Sequence, residues 1–159
     1  LYMKTNLNGG CLLPNEEIIV KNRLVLMSEI KVGDKVLSHD GDYHVVTHVW
    51  NFEKPTYYVS FSNGDHIECS NTHRFLVNKN KIDKESSWKT AEELHDGDEI
   101  FTMSIINMDI NEKIKFNKIK IARIFKSGIN NPVIDITVKD THTYISANGI
   151  VNHNSGTNF

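Results

Sequence analysis

Turn chemistry, more than any other feature, limits what this chain can fold into. Residues 39–42 read His-Asp-Gly-Asp, residues 62–65 Ser-Asn-Gly-Asp and residues 147–149 Ala-Asn-Gly. Asp-Gly and Asn-Gly supply the positive φ angles that tight hairpins require. They punctuate short runs rich in Val, Ile, Leu and aromatic residues: Glu17–Val20, Asn22–Met27, Asp34–Ser38, Tyr43–Trp50, Thr56–Phe61, His66–Cys69, Arg74–Val77, Glu99–Met103, Val133–Val138 and Thr143–Ser146. Such runs between turn residues are strand signals. Helix signals are scarce. Thr90 followed by Glu93 has capping-box spacing, which supports one short helix starting there. Pro14, Pro55 and Pro132 fall at strand edges or turns. The expected fold class is all-β.

The sequence also echoes itself. Ser28–Ser38 and Glu92–Thr102 both place a Gly-Asp after a short apolar-acidic segment and before a strand, with Gly33 and Gly97 separated by 64 positions, as are Asp34 and Asp98. Two helix-to-strand turns of a common type would look alike, but the acidic, apolar and Gly-Asp positions all align, which favours a duplicated β unit. The polar segments Asn78–Ser87 and Asn107–Lys113 read as surface loops. From Lys113 to Arg123, basic and apolar residues alternate, as in a long strand with one solvated face. No aromatic residues interleave with that basic face, so it lacks the pattern of a nucleic-acid strip.

At 159 residues the chain suits one domain and is short for two of enzymatic size. Hydrophobic residues make up 39% and charged residues 24%, the balance of a soluble globular protein. Eighteen Lys and Arg against 20 Asp and Glu give a net charge of −2, with no overall pull toward nucleic acid or an anionic membrane. No apolar run reaches the ~20 residues of a membrane span, and the chain does not open on a charged-then-apolar signal segment. An intracellular, reducing location is therefore expected. Two cysteines, Cys11 and Cys69, cannot make a disulfide framework, and neither belongs to a Cys-x-x-Cys zinc pair, so a structural zinc site is not expected. The first ten residues, LYMKTNLNGG, and the last five, SGTNF, stand outside the strand pattern.

Chemistry concentrates in a few places. In His153-Asn154-Ser155, the Asn154 side-chain amide can attack its own main-chain carbonyl, forming a succinimide and breaking the bond after Asn154. That requires orientation of the amide and a proton for the departing nitrogen, which the adjacent His153 can handle near neutral pH. Alone, the tripeptide is more often a surface turn. Cys11 follows Asn8-Gly9-Gly10; its thiol can attack the Gly10 carbonyl, and Gly10 has no side chain to oppose distortion of that peptide. A lone cysteine is by default a buried apolar thiol. Ser70 and His73, spaced Ser-x-x-His after a strand, can project into one site, although a structural histidine is the commoner use. Asp135 interrupts an apolar strand run, an unusual place for a carboxylate, unless it pairs at a sheet edge. His142 is joined to His153 through a hairpin containing Asn148-Gly149, so the two can converge.

Taken in that order, Cys11, Ser70 with His73, Asp135 with His142, and His153-Asn154-Ser155 resemble the motifs of an intein, a self-excising domain of the Hint fold shared with hedgehog autoprocessing domains. The resemblance covers nearly the whole chain. Lys31–Ser38, with its Val-Gly-Asp, resembles the family's second short motif. Ser70–His73 matches a Thr-x-x-His motif, with Ser in place of Thr keeping the hydroxyl, and Val133–Asn154 matches the two C-terminal motifs. The resemblance implies a pseudo-two-fold-symmetric, horseshoe-like β assembly with one or two short helices. It implies an N-terminal flank at 1–10, an intein at 11–154 with no room for a homing endonuclease, and a C-terminal flank at 155–159. It further implies four steps: Cys11 attacks Gly10 with help from His73 and Ser70; Ser155 attacks the thioester with Asp135 as base; Asn154 cyclises while His153 and His142 move protons; and the ester shifts from oxygen to nitrogen. The implied partners are the chain's own flanks, and a complementary fragment if the natural form is split at Asn107–Lys113; no metal, nucleotide, nucleic acid or membrane enters, and a monomer is expected. Two other readings stand beside this one: a relative that cleaves at Cys11 without ligating, and a β-rich binding module with no chemistry. Cys69, beside Ser70, reads as a packed thiol, with a redox trap against Cys11 or an inhibitory zinc ion left open.

Overall fold

A computed structural model describes residues 10–21, 23–80, 85–104 and 115–153, apart from the side chains of 79, 80, 85 and 86. Its strands are β1 (Glu17–Val20), β2 (Arg23–Leu26), β3 (Lys35–Leu37), β4 (Tyr43–Phe61), β5 (His66–Ser70), β6 (Arg74–Asn80), β7 (Glu85–Thr90), β8 (Glu99–Met103), β9 (Phe116–Val138), β10 (Thr143–Ile145) and β11 (Val151–His153). They form an antiparallel sheet in the order β10-β11-β6-β8-β9-β4-β3-β1-β2, with β5 on β4 and β7 on β6. The all-β class is as expected. Gly41, Gly64 and Gly149 have φ of 82°, 93° and 83°, the angles that the Asp-Gly and Asn-Gly pairs were expected to supply.

Two strands of 19 and 23 residues, β4 and β9, pair along almost their whole length and form the spine. Tyr43–Trp50 and Thr56–Phe61 are thus one strand. Pro55 lies between them, and the register shifts there, from Lys54 opposite Asn131 to Thr56 opposite Gly128. A proline has no N–H for the ladder, so a strand that keeps one accommodates it at such an irregularity. The Lys-rich segment opens β9: Lys118 and Lys120 are exposed while Ile121 is buried, the solvated-face arrangement.

Two strands were not legible in the sequence. The segment Asn78–Ser87, expected as loop, contains the end of β6 and the start of β7. Ser86 and Ser87 of β7 pair with Asn78 and Val77, so the β6 ladder imposes a conformation that no apolar alternation announces. The three-residue β11 is held by β10 on one side and β6 on the other. The expected helix at Thr90 is a single 3₁₀ turn, Ala91–Glu93: the capping box forms, with the Thr90 N–H donating to Glu93 Oε1 at 2.9 Å, but Gly97 (φ 89°) turns the chain into β8.

The internal echo is structural. A second 3₁₀ turn, Met27–Glu29, lies 64 positions before Ala91–Glu93. The Lys31 N–H donates to Asp34 Oδ2 at 2.9 Å, and the His95 N–H to Asp98 Oδ2 at 2.8 Å. Gly33 and Val46 exchange backbone bonds with this turn (Gly33 N to Val46 O, Val46 N to Asp34 O), and Gly97 and Ile121 repeat the pattern (Gly97 N to Ile121 O, Ile121 N to Asp98 O), all at 2.8 Å. Each copy docks its Gly-Asp turn on one of the two spine strands.

The core runs beneath the spine and includes Ile18, Val36, Ile67, Phe75, Ile100, Ile136 and Tyr144. Leu12 belongs to it. This residue bridges Cys69 of β5 and Ile134 of β9, exchanging backbone hydrogen bonds of 2.9 and 2.8 Å with Ile134. Entry of the chain between two strands is what buries the residue before it, Cys11.

Candidate active site

Cys11 is fully buried. Its N–H, the nitrogen of the Gly10–Cys11 bond, donates to Ser70 Oγ at 3.2 Å, and its carbonyl accepts the Ser70 N–H at 2.9 Å. Ser70 ends β5, and the Ser70 carbonyl accepts the His73 N–H at 3.0 Å across the turn that leads into β6. The Ser-x-x-His spacing therefore puts both side chains on the same peptide. A Cβ on Gly10 would lie 2.6 Å from His73 Nδ1 and 2.6 Å from the backbone oxygen of His153. Real Cβ contacts are not that short, so only glycine fits without displacing one of them. Gly10 and His153, from opposite ends of the chain, are thus in contact.

His73 is fully buried, edge-on to Phe75 with ring centroids 5.1 Å apart. Its Nε2 lies 2.8 Å from Asn152 Oδ1. The Asn152 amide nitrogen donates to the Tyr144 and Ile150 carbonyls at 3.3 and 3.1 Å. Burial, only partly offset by the Asn152 bond, pulls His73 down to about 4, so the ring is neutral at physiological pH.

Burial also pushes the Cys11 thiol up to about 12, with the Asp135 carboxylate adding to the rise. The Lys54 ammonium and the Ser70 hydroxyl work the other way. Cys11 is therefore a protonated thiol at neutral pH, and a thiol in that state can act as a nucleophile only with loss of its proton. Asp135 is fully buried near the C-terminal end of β9, opposite Trp50 of β4 and beside Ile134, which Leu12 bridges on the other side, so it is not at a sheet edge. Burial lifts the Tyr144 hydroxyl well above its ordinary range, and Asp135, Cys11 and Cys69 add to the rise. Cys69 is a buried, free thiol of the core cluster.

His142 precedes β10 in the left-handed region (φ 60°), and Thr143 after it faces His153 across the β10–β11 ladder. The ladder thus places the backbone of His142 one residue from the partner of His153. The His153 ring stands edge-on to Trp88 at 4.9 Å, in a groove also lined by Leu76, Phe101 and Phe116. Asn154 and Ser155 lie outside the described residues.

Three residues that bond to or perturb these groups escaped the sequence: Lys54, Asn152 and Tyr144. Lys54 sits in a strand of mixed polarity where a lysine attracts no notice. Asn152 carried a signal of the kind that singled out Asp135, a polar residue in the apolar run Ile150-Val151-Asn152. Tyr144 read as ordinary strand aromatic.

No protein-family model and no curated protein sequence matches the chain. Solved structures do. The gp41-1 intein is 25% identical, with a TM-score of 0.71 over 92% of this chain and 99% of its own. The Ssp DnaB mini-intein variant M86 is 19% identical, with a TM-score of 0.77 over 94% of this chain and 97% of its own. A DnaB intein from Synechocystis sp. PCC 6803 is 19% identical, with a TM-score of 0.75 over 92% and 99%.

Proposed function

From the Hint-type fold this chain shares with minimal inteins, we propose that it splices itself out between Gly10 and Ser155 and joins the two flanks. One observation carries the proposal: Gly10, at the first bond, packs against the His153 carbonyl one residue before Asn154 and against His73 Nδ1. A binding module would have no reason to bring these ends together.

Cys11 Sγ attacks the Gly10 carbonyl. A carbon–sulfur bond forms, the carbon–nitrogen bond breaks, the thiol proton leaves, and the freed nitrogen gains a proton through His73. Ser70 Oγ, already holding that nitrogen's N–H, fixes the peptide against rotation. Ser155 Oγ then attacks the thioester, giving its proton to Asp135 as Cys11 departs. Asn154 Nδ2 attacks the Asn154 carbonyl, closing a succinimide and releasing Ser155 as an amine, with His142 and His153 moving the protons. That amine displaces the ester, leaving a native peptide bond. Every nucleophile and leaving group is supplied by the chain itself. Residues 11–154, 144 residues counting both ends, are the part released.

Intact-mass spectrometry during incubation with a thiol reductant tests the proposal. The expected result is loss of the full chain and appearance of the 11–154 piece together with LYMKTNLNGGSGTNF. A chain that stays whole, or that releases only unjoined flanks, would overturn it, the second outcome favouring cleavage without ligation. The same time course checks Gly10. Gly10→Ala drives a Cβ into His73 Nδ1 and the His153 carbonyl, so precursor loss should slow by roughly a hundredfold, the cost of a misplacement of about 1 Å at a reacting centre. Gly9→Ala should have little effect.

A further inference from the structure

The orientation of the Asn152 amide is over-determined. Asn152 is fully buried in β11, and two backbone carbonyls, of Tyr144 and Ile150, face one end of its side chain. Carbonyls only accept, so that end must be the NH₂ group. Flipping the amide would set its oxygen against both of them. The Asn152 oxygen therefore faces His73 Nε2 at 2.8 Å, and an amide oxygen also only accepts. Nε2 must carry the hydrogen. A neutral imidazole has one N–H, which leaves Nδ1 with a bare lone pair. That atom is buried, has no hydrogen-bond partner among the described residues and points at Gly10.

We propose that Asn152 is a positioning residue that locks His73 as the Nε2–H tautomer, with the Nδ1 lone pair held ready at the first scissile peptide. Its consequence for the reaction rests on the splicing proposal. The Cys11 thiol releases one proton and the leaving Cys11 nitrogen needs one. A ring that starts with an empty Nδ1 takes up the first as the carbon–sulfur bond forms and delivers it to nitrogen as the carbon–nitrogen bond breaks, with no net change in its own protonation. The opposite tautomer starts with Nδ1 blocked and must shed a proton into an apolar interior first. Because Asn152 lies on the strand that runs into the second cleavage site, displacement of β11 there would also release the tautomer of His73.

The tautomer is read directly by ring ¹⁵N NMR of the full chain carrying Cys11→Ala and Asn154→Ala, which keep it uncut. Nε2 should appear protonated and Nδ1 bare from pH 5 to 8. In the splicing chain, Asn152→Leu keeps the bulk but removes the acceptor. Cleavage at Gly10 should fall by roughly a hundredfold, the usual share of a positioned acid–base group, while the NMR variant shows both tautomers. Asn152→Asp keeps an oxygen at Nε2; it should restore the tautomer and most of the rate, with the pH–rate curve displaced upward because a carboxylate favours the imidazolium. A protonated Nδ1 in the parent, or an Asn152→Leu chain that cleaves at the parental rate, would overturn the proposal. If Asn152→Leu does not fold, the parent spectrum and the Asp variant still decide. A parent with the expected tautomer and no ligated product would count against splicing alone.

Discussion

Cys11→Ala should end ligation completely and leave slow cleavage after Asn154. Alanine offers no nucleophile, so no thioester forms and the N-terminal flank stays on an amide that Ser155 cannot open. Asn154 uses its own side chain, and its cyclisation requires the His153 and His142 end of the site, which the substitution does not touch. The expected masses are a 1–154 piece and SGTNF, with LYMKTNLNGGSGTNF below detection. Asn154→Ala is the converse. The thioester and the branched ester can form, but nothing releases the C-terminal end, so the reaction stops at the branched species or hydrolyses to free LYMKTNLNGG. The Cys11 thiol is small and buried, and its truncation should cost about 1 kcal/mol of stability, typical of a single substitution, so the folded chain remains available for the comparison. If both variants still ligate, the assignments of nucleophile and terminal Asn are wrong.

Most of this architecture is legible in the sequence because local chemistry and global fold agree. Asp-Gly and Asn-Gly turns demand positive φ whatever surrounds them, and Gly41, Gly64 and Gly149 have it. The 64-residue echo was legible because each Gly-Asp turn is closed by its own side chain, Asp34 to Lys31 and Asp98 to His95. What stayed hidden depends on distant partners. The polar strand β7 exists because β6 offers it a ladder, and β11 is three residues held from both sides. In the site, Cys11, Ser70, His73 and Asp135 were picked out by residue type and order. Lys54 and Asn152 were not, because each matters through what it meets in space: a thiol 43 positions earlier in the chain for Lys54, and an imidazole 79 positions away for Asn152.

Lowering the pH should destabilise the folded chain through His73, before the depressed carboxylates contribute. The ring titrates at about 4 in the folded protein against an ordinary 6.5, because it is buried and because His153 and Arg74 disfavour a further positive charge. Between those values the unfolded chain binds a proton that the native one refuses. Stability is then fully present above 6.5, falls as the pH drops through the window, and levels off near 4. A displacement of about 2.5 pKa units corresponds to a loss of about 3 kcal/mol across the window. Asp40 and Glu93, whose carboxyls are held below their ordinary range by hydrogen bonds, lose their contributions only under more acidic conditions, below 4.5. Glu16, raised by burial, acts in the opposite direction. Urea unfolding of the uncut Cys11→Ala, Asn154→Ala chain at pH 7, 6, 5 and 4.5 isolates the effect when repeated with His73→Gln added, which has nothing to titrate. The slope between pH 6.5 and 4.5 should be steep in the first chain and markedly flatter in the second, whatever the substitution does to stability at pH 7. Parallel slopes would mean that His73 is as easily protonated folded as unfolded, and an imidazole open to water cannot be the one that faces Gly10.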